Sequence, residues 1–183
     1  MKAINIEENK DITALTTFGI PVKARYYAEY GSEEELLRIS RTETFLNNEV
    51  LNLGGGSNLL FMHDYDGLVL HSRIDGIVRY DKNPETVYVI AGAGVVWDKF
   101  VDWCVEHGLG GVENMAGIPG TVGASAVQNV GAYGAEAKDV VYSVECFDTL
   151  TRRSRRFTNA ECRFGYRDSF FKHAGKERYI VMR

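Results

Sequence analysis

The 183 residues carry 21 Lys and Arg against 25 Asp and Glu, a net charge of −4, with 45% hydrophobic and 25% charged residues. This is an ordinary globular composition that can bury a core without staples, and its acidic balance excludes a general nucleic-acid binder, which presents a basic surface. Cys104, Cys146 and Cys162 form no CxxC pair or Cys/His spacing, and no apolar leader or membrane-length run occurs, so no disulfide framework, metal site or membrane partner is expected and a cytoplasmic location is.

Asp11 to Gly19 reads as a polar lead-in ending in Thr16-Thr-Phe-Gly19, and Arg25 to Tyr30 as a short strand. Ser32 is placed to cap a helix over the following residues, with Glu35 at the capping-box position. Glu49 to Leu53 predicts a strand that runs straight into Gly54, Gly55, Gly56, Ser57 and Asn58. Those glycines offer a nest of N–H donors, and Ser57 and Asn58 add side-chain donors suited to phosphate oxygens. The loop lacks the Lys-Ser/Thr of a P-loop, and a plain turn is the alternative.

Gly67–His71, Gly76–Tyr80 and Thr86–Ala91 predict successive strands, with turn material in Asp81-Lys-Asn-Pro84 between the last two. Trp97 to His107 predicts an amphipathic helix with Trp97, Phe100, Val101, Cys104 and Val105 on its apolar stripe and Gly108 as its stop. The preceding Gly92-Ala-Gly94 invites a dinucleotide reading, but Trp97 stands where the third Rossmann glycine belongs, and that reading is rejected.

Gly117 to Gly134 holds five glycines, a proline and no charge. So much glycine disfavours helix and strand and suits a backbone pressed along a ligand, with N–H groups available to an anion; a tightly packed structural loop is the alternative. Val140–Thr149 and Arg155–Thr158 predict a hairpin, whose connection, with Arg152, Arg153, Arg155 and Arg156, reads as a solvated tip. In Phe164-Gly-Tyr-Arg-Asp-Ser169, Arg167 suits stabilisation of negative charge on a substrate, or else a structural ion pair with Asp168. Arg178 to Met182 starts a strand that nothing in the sequence caps or closes, so the chain reads as a fragment.

Taken in order, Thr16-Thr-Phe-Gly19, the Gly54–Asn58 loop, the 117–134 segment and Cys162-Arg-Phe-Gly-Tyr-Arg-Asp-Ser169 resemble the UDP-N-acetylenolpyruvoylglucosamine reductase family. These flavoenzymes complete UDP-N-acetylmuramate in bacterial peptidoglycan synthesis. The resemblance runs from about Thr16 to the last residue, and the Ile118–Gly134 run is its most specific part. It implies an α+β fold of two α/β subdomains, residues 1–72 and 73–183, of the vanillyl-alcohol-oxidase-like FAD-binding type. The second subdomain would be incomplete at its C-terminus and the substrate-binding domain absent from the chain.

The resemblance further implies FAD as cofactor, NADPH as hydride donor and UDP-N-acetylglucosamine enolpyruvate as substrate. Gly54, Gly55, Gly56, Ser57 and Asn58 would meet the FAD diphosphate. Ile118, Pro119, Gly120, Gly123, Ala124, Ser125, Gln128 and Asn129 would line the cofactor further along. Tyr133, Tyr166 and Arg167 would face substrate, with Arg167 stabilising the charge that builds on the carboxylate side as hydride reaches C3. The family's proton-donating serine and assisting glutamate fall beyond Arg183, so Ser125 and Ser169 do not stand in for them and this polypeptide alone is expected to be inactive. A complete chain is expected to be monomeric, with the unpaired last strand of the fragment as an edge for dimerisation. Two other readings stay open: another flavin oxidase or dehydrogenase of the same fold, and a non-catalytic nucleotide-binding module in which Arg167 is structural.

Overall fold

The computed structural model describes residues 4–83 and 86–183, and the chain divides into two compact units, one up to Arg73 and one from Ile74 onward. The first contains β1 (Glu7–Asp11), β2 (Lys23–Tyr30), α1 (Glu33–Ile39), α2 (Glu43–Asn47), β3 (Val50–Leu53) and β4 (Tyr65–Ser72). Its sheet has the order β1-β2-β4-β3, with β2 and β3 both parallel to β4 and β1 antiparallel to β2. From Gly67 to Ser72 every residue of β4 is buried, as befits a central parallel strand covered on both faces.

Ile12, Val22, Ala24, Tyr27, Leu53 and Val69 form one core of this unit. Ser32 caps α1 as its position predicts, its Oγ accepting from the Glu35 N–H at 3.1 Å. The Glu35 carboxylate reaches one residue further back than a standard box and accepts from the Gly31 N–H at 2.7 Å. Strand β1 and helix α2 carry too little apolar periodicity to be foreseen; α2 depends on Thr42, whose Oγ1 accepts from the Phe45 N–H at 3.2 Å.

The second unit holds β5 (Ile77–Asn83), β6 (Thr86–Ala91), α3 (Trp97–Glu106), α4 (Val122–Gln128), β7 (Gly131–Ala132), β8 (Ala135–Glu136), α5 (Ala137–Val140), β9 (Ser143–Asp148), β10 (Arg153–Thr158) and β11 (Tyr179–Val181). Strand β5 continues past Asp81, where a turn is expected, and Pro84 of that turn lies outside the described residues. In α3, Trp97, Val101 and Cys104 are buried and the Trp97 indole donates to the Met115 carbonyl at 2.9 Å, whereas Val105 is turned outward. Residues 137–140 form a helical turn, so β9 starts only at Ser143.

The sheet β10-β9-β11 is antiparallel throughout and lies on an aromatic cluster of Phe157, Phe170, Phe171 and Tyr179, ring centroids 4.8 to 5.9 Å apart. Arg155 is exposed but lies within β10 and not at the tip, and its guanidinium lies 4.3 Å from the Phe157 ring centroid and donates to the Tyr179 hydroxyl at 2.9 Å. The three thiols are buried in the same unit, Cys104 in the α3 cluster and Cys146 and Cys162 beneath the sheet. Burial pushes the Cys104 thiol up to about 11 and the Cys162 thiol to about 12.

Strand β11 is an edge of its sheet, as expected, but its side chains are buried and one backbone bond ties its end to Ala93. Tyr179, Ile180, Val181 and Met182 are all buried, the Met182 N–H donates to the Glu145 carbonyl at 2.8 Å and the Met182 carbonyl accepts from the Ala93 N–H at 2.8 Å. Entry to β11 is fixed by Arg178, whose Nε and Nη2 donate to the two carboxylate oxygens of Asp148 at 2.9 and 2.7 Å. Asp148 is itself buried and also accepts from the Leu150 N–H at 3.0 Å, which closes the β9–β10 turn. The Arg178 fork, with the turn amides behind it, holds this carboxyl well below the usual carboxylate range.

Replacing Asp148 with Ala removes the fork's anchor and the turn's acceptor together, and is expected to cost about 2 kcal/mol in urea unfolding. Because the folded carboxyl titrates below its unfolded value, its contribution is complete above about pH 4 and is lost as pH falls toward the folded pKa. The Asp148→Ala protein should therefore lose stability less steeply than the parent between about pH 4 and pH 2. Equal acid slopes for the two proteins would refute this linkage.

Candidate functional site

The Gly54–Asn58 loop leaves β3 at the C-terminal end of the parallel strands, the end at which open α/β sheets place ligands. It is pressed against the first of the sequence motifs. Gly56 has φ +63, and a Cβ there would lie 1.9 Å from the Leu15 carbonyl oxygen and 2.9 Å from the Thr16 Cα. The Thr17 N–H donates to the Gly56 carbonyl at 3.4 Å. Phe18, Leu60 and Met62, neighbours of these two segments in sequence, stay exposed.

In the second unit the charge-free segment contains a helix that its glycine content disfavours. Thr121 caps α4, its Oγ1 accepting from the Ala124 N–H, and Gly123 lies where the helix backbone meets Ala93: a Cβ would come within 2.7 Å of the Ala93 Cβ. The Gly123 N–H donates to the Ala93 carbonyl at 3.0 Å and the Val122 N–H to the Val95 carbonyl at 2.9 Å. The Gly92-Ala-Gly94 run is thus a packing junction for α4. The Gly117 N–H donates to Asp98 at 2.6 Å, a partner that nothing in the sequence marks.

Ser125 is buried and its Oγ donates to the Val122 carbonyl at 2.7 Å; Ile118, Gly120, Ala124 and Gln128 are half-buried and Pro119 is exposed. Asn129 ends α4 at φ +46, fully buried, with Nδ2 donating to the Gly165 carbonyl at 2.8 Å and Oδ1 accepting from the Lys138 N–H at 2.9 Å. Tyr133 and Gly134, both at positive φ, form the two-residue turn between β7 and β8, and Tyr133 is 90% exposed.

Arg167 lies at φ +52 in the turn closed by Gly165 and Asp168. Its guanidinium donates to the Gly131 carbonyl, and its Cζ lies 5.4 Å from the Tyr166 ring centroid. A Cβ on Gly131 would lie 3.0 Å from Arg167 Nη1, so glycine there lets the guanidinium reach the backbone. Asp168 pairs instead with His173 at 2.8 Å, and among the described residues no carboxylate pairs with Arg167. The second unit thereby brings Arg167 to the Tyr133 hairpin with Tyr166, itself 85% exposed, at its side.

Residues 24–150 match the family model of the FAD binding domain. The chain belongs to this family. UDP-N-acetylenolpyruvoylglucosamine reductase of Neisseria gonorrhoeae is 48% identical over 97% of this chain and 51% of its own length, and that of Amoebophilus asiaticus is 40% identical over 98% and 53%. The chain spans about half the length of the curated relatives it matches. The crystal structure of UDP-N-acetylenolpyruvylglucosamine reductase from Thermus caldophilus superposes with a TM-score of 0.73 at 25% identity, covering 98% of this chain and 60% of that one. The resemblance read from the four motifs is borne out, and the α+β architecture is that of the FAD-binding fold shared with the vanillyl-alcohol-oxidase-like flavoproteins.

A Gly56→Ala substitution tests the role of the first loop. The methyl group meets backbone, which cannot rotate aside, at a φ that disfavours alanine, so a loss of about 3 kcal/mol is expected in urea unfolding. A near-neutral result would mean that the loop does not rest on Leu15 and Thr16.

Proposed function

We propose that these residues are the FAD-binding portion of a reductase that converts UDP-N-acetylglucosamine enolpyruvate to UDP-N-acetylmuramate in cytoplasmic cell-wall synthesis, with NADPH as hydride donor. The observation that carries the reading is the setting of Arg167. It is a guanidinium anchored on a backbone carbonyl, paired with no carboxylate among the described residues and flanked by an exposed tyrosine. Relatives that bear the reductase name over 97% of the chain supply the reaction class.

The donor set fits a phosphate-bearing cofactor. Among the described residues the amides of Gly55 and Gly56, and in the second unit those of Ile118, Gly120 and Thr121, donate to no other group of the chain. Unpaired N–H groups in an uncharged glycine-rich backbone are what a diphosphate requires. In this reading Gly54, Gly55, Gly56, Ser57 and Asn58 bind the diphosphate, and Ile118, Pro119, Gly120, Gly123, Ala124, Ser125 and Gln128 line the rest of the cofactor. FAD, when bound, supplies the two-electron relay between NADPH and the enolpyruvyl double bond.

The chain's own residues then have separable tasks. Arg167 donates to the substrate carboxylate and stabilises the negative charge that develops there, a role that a permanently charged planar fork fills better than lysine. Tyr133 and Tyr166 offer flat, amphipathic walls for the substrate. The proton that completes the product comes from a serine outside these residues.

The purified 183-residue chain, mixed with FAD, is expected to show a flavin absorption band that acid precipitation releases, and no NADPH-dependent turnover of UDP-N-acetylglucosamine enolpyruvate. Absence of any band with added FAD, or measurable turnover, would each sink the corresponding half of the proposal. In a version extended to the length of the curated relatives, Arg167→Lys should cost on the order of 3 kcal/mol of transition-state stabilisation. An unchanged rate would leave Arg167 a structural residue.

A further inference from the structure

The exit of α4 and the arginine turn are fastened together at alternate residues on both sides. The Val127 carbonyl accepts from Ser169 Oγ at 2.5 Å, Asn129 Nδ2 donates to the Gly165 carbonyl at 2.8 Å, and the Gly131 carbonyl accepts from the Arg167 guanidinium. Within the turn the Gly165 N–H donates to the Asp168 carbonyl at 2.9 Å and the Asp168 N–H to the Gly165 carbonyl at 3.1 Å. Tyr166 and Arg167 are left at the tip. Arg167 is held in the left-handed region, which costs a non-glycine residue about 1 kcal/mol and persists only when neighbouring contacts over-determine it.

Asn129 supplies that determination from a position no cofactor can touch. Its side chain is fully buried, Nδ2 donates to the residue two before Arg167, and Oδ1 accepts from the Lys138 N–H. Ser169 grips the other flank of the tip: its Oγ donates to Val127 and accepts from the Phe171 N–H at 3.2 Å. The two side chains bracket Tyr166 and Arg167 and tie both ends of the turn to the last residues of α4.

We propose that Asn129 is a positioning residue for Arg167 and not a ligand of the cofactor, with Ser169 as the second arm of the same clamp. The proposal rests on the reading of Arg167 above. In the reading above it makes α4 serve two purposes: its start and middle line the cofactor, and its exit sets the aim of the substrate-charge residue. Asparagine suits the position because it tolerates positive φ and carries a donor and an acceptor on one short side chain.

The test is a double-mutant cycle in the FAD-loaded protein extended to the length of its relatives, with three readouts: kcat, the FAD dissociation constant and the unfolding midpoint. Asn129→Gly keeps the backbone conformation and removes both hydrogen bonds. Asn129→Asp keeps the acceptor for Lys138 and sets an oxygen against the Gly165 carbonyl. Each should lower kcat about tenfold while changing FAD affinity less than about twofold, and neither should lower kcat further when Arg167 is already Lys.

A loss of FAD affinity that matches the loss of kcat would overturn the proposal and make Asn129 a cofactor ligand. So would an additive effect in the Arg167→Lys background, which marks a general structural defect. An unchanged kcat in Arg167→Lys alone would instead refute the reading of Arg167 itself. If the Asn129 variants do not fold, Ser169→Ala decides the matter: the same pattern of lower kcat, unchanged FAD affinity and non-additivity with Arg167→Lys supports the clamp, and an unchanged kcat overturns it.

Discussion

The carboxamide of Asn129 links the end of α4, the start of α5 and the arginine turn, segments up to 36 residues apart in sequence, through a single side chain without solvent contact. The energetics are asymmetric. Each hydrogen bond contributes only about 1 kcal/mol net, but a buried donor or acceptor left without its partner costs about 1–3 kcal/mol. Loosening this amide therefore does more than subtract two bonds; it takes the partner from the Lys138 N–H and leaves the Gly165 carbonyl with the Asp168 N–H alone. The position of Arg167, and with it the charge presented between two exposed tyrosines, is downstream of that one group.

Glycine in this chain acts first on the chain itself. At Gly56, Gly123 and Gly131 the space that a Cβ would need is already taken by Leu15, by Ala93 and by the Ala135 carbonyl and the Arg167 guanidinium. The packed-loop reading and the ligand-cradle reading of such segments are thus not rivals. The same missing side chains that let two backbones meet also leave neighbouring amides uncovered, as at Gly55 and Gly120, and those amides are what a phosphate would find.

Much of the first unit was legible in the sequence because its signals are local. Ser32 and Glu35 announce α1, and Gly67–His71 announces a strand, although its place between β2 and β3, and not beside the two strands that follow it, depends on tertiary pairing. Edge strand β1 was not, since its pairing with β2 depends on a partner at a distance and its own residues are mostly polar. In the second unit, α3 was visible as a stripe, but α4 was hidden because glycine propensity gave the wrong sign. There tertiary packing against Ala93 and the Thr121 cap outweigh the intrinsic cost of about 1 kcal/mol for a helical glycine. The motifs named the residues of the candidate site, yet not their division of labour. That Arg167 would reach a carbonyl while Asp168 turned to His173 depends on the positive φ at 167, which no composition or spacing encodes.

The cysteines carry a practical consequence. All three lie in the second unit, in two separate apolar clusters, and burial holds them in the thiol form, which neither alkylates nor oxidises at an appreciable rate. A thiol-reactive dye in solution would therefore label the native protein only as fast as these clusters open. Labelling at Cys104 would time the breathing of the α3 packing, and labelling at Cys146 and Cys162 that of the sheet, while the unit that bears the first glycine loop, having no cysteine, would stay silent. The chain thus contains its own site-resolved gauge of local unfolding in the second unit, with no engineered label needed.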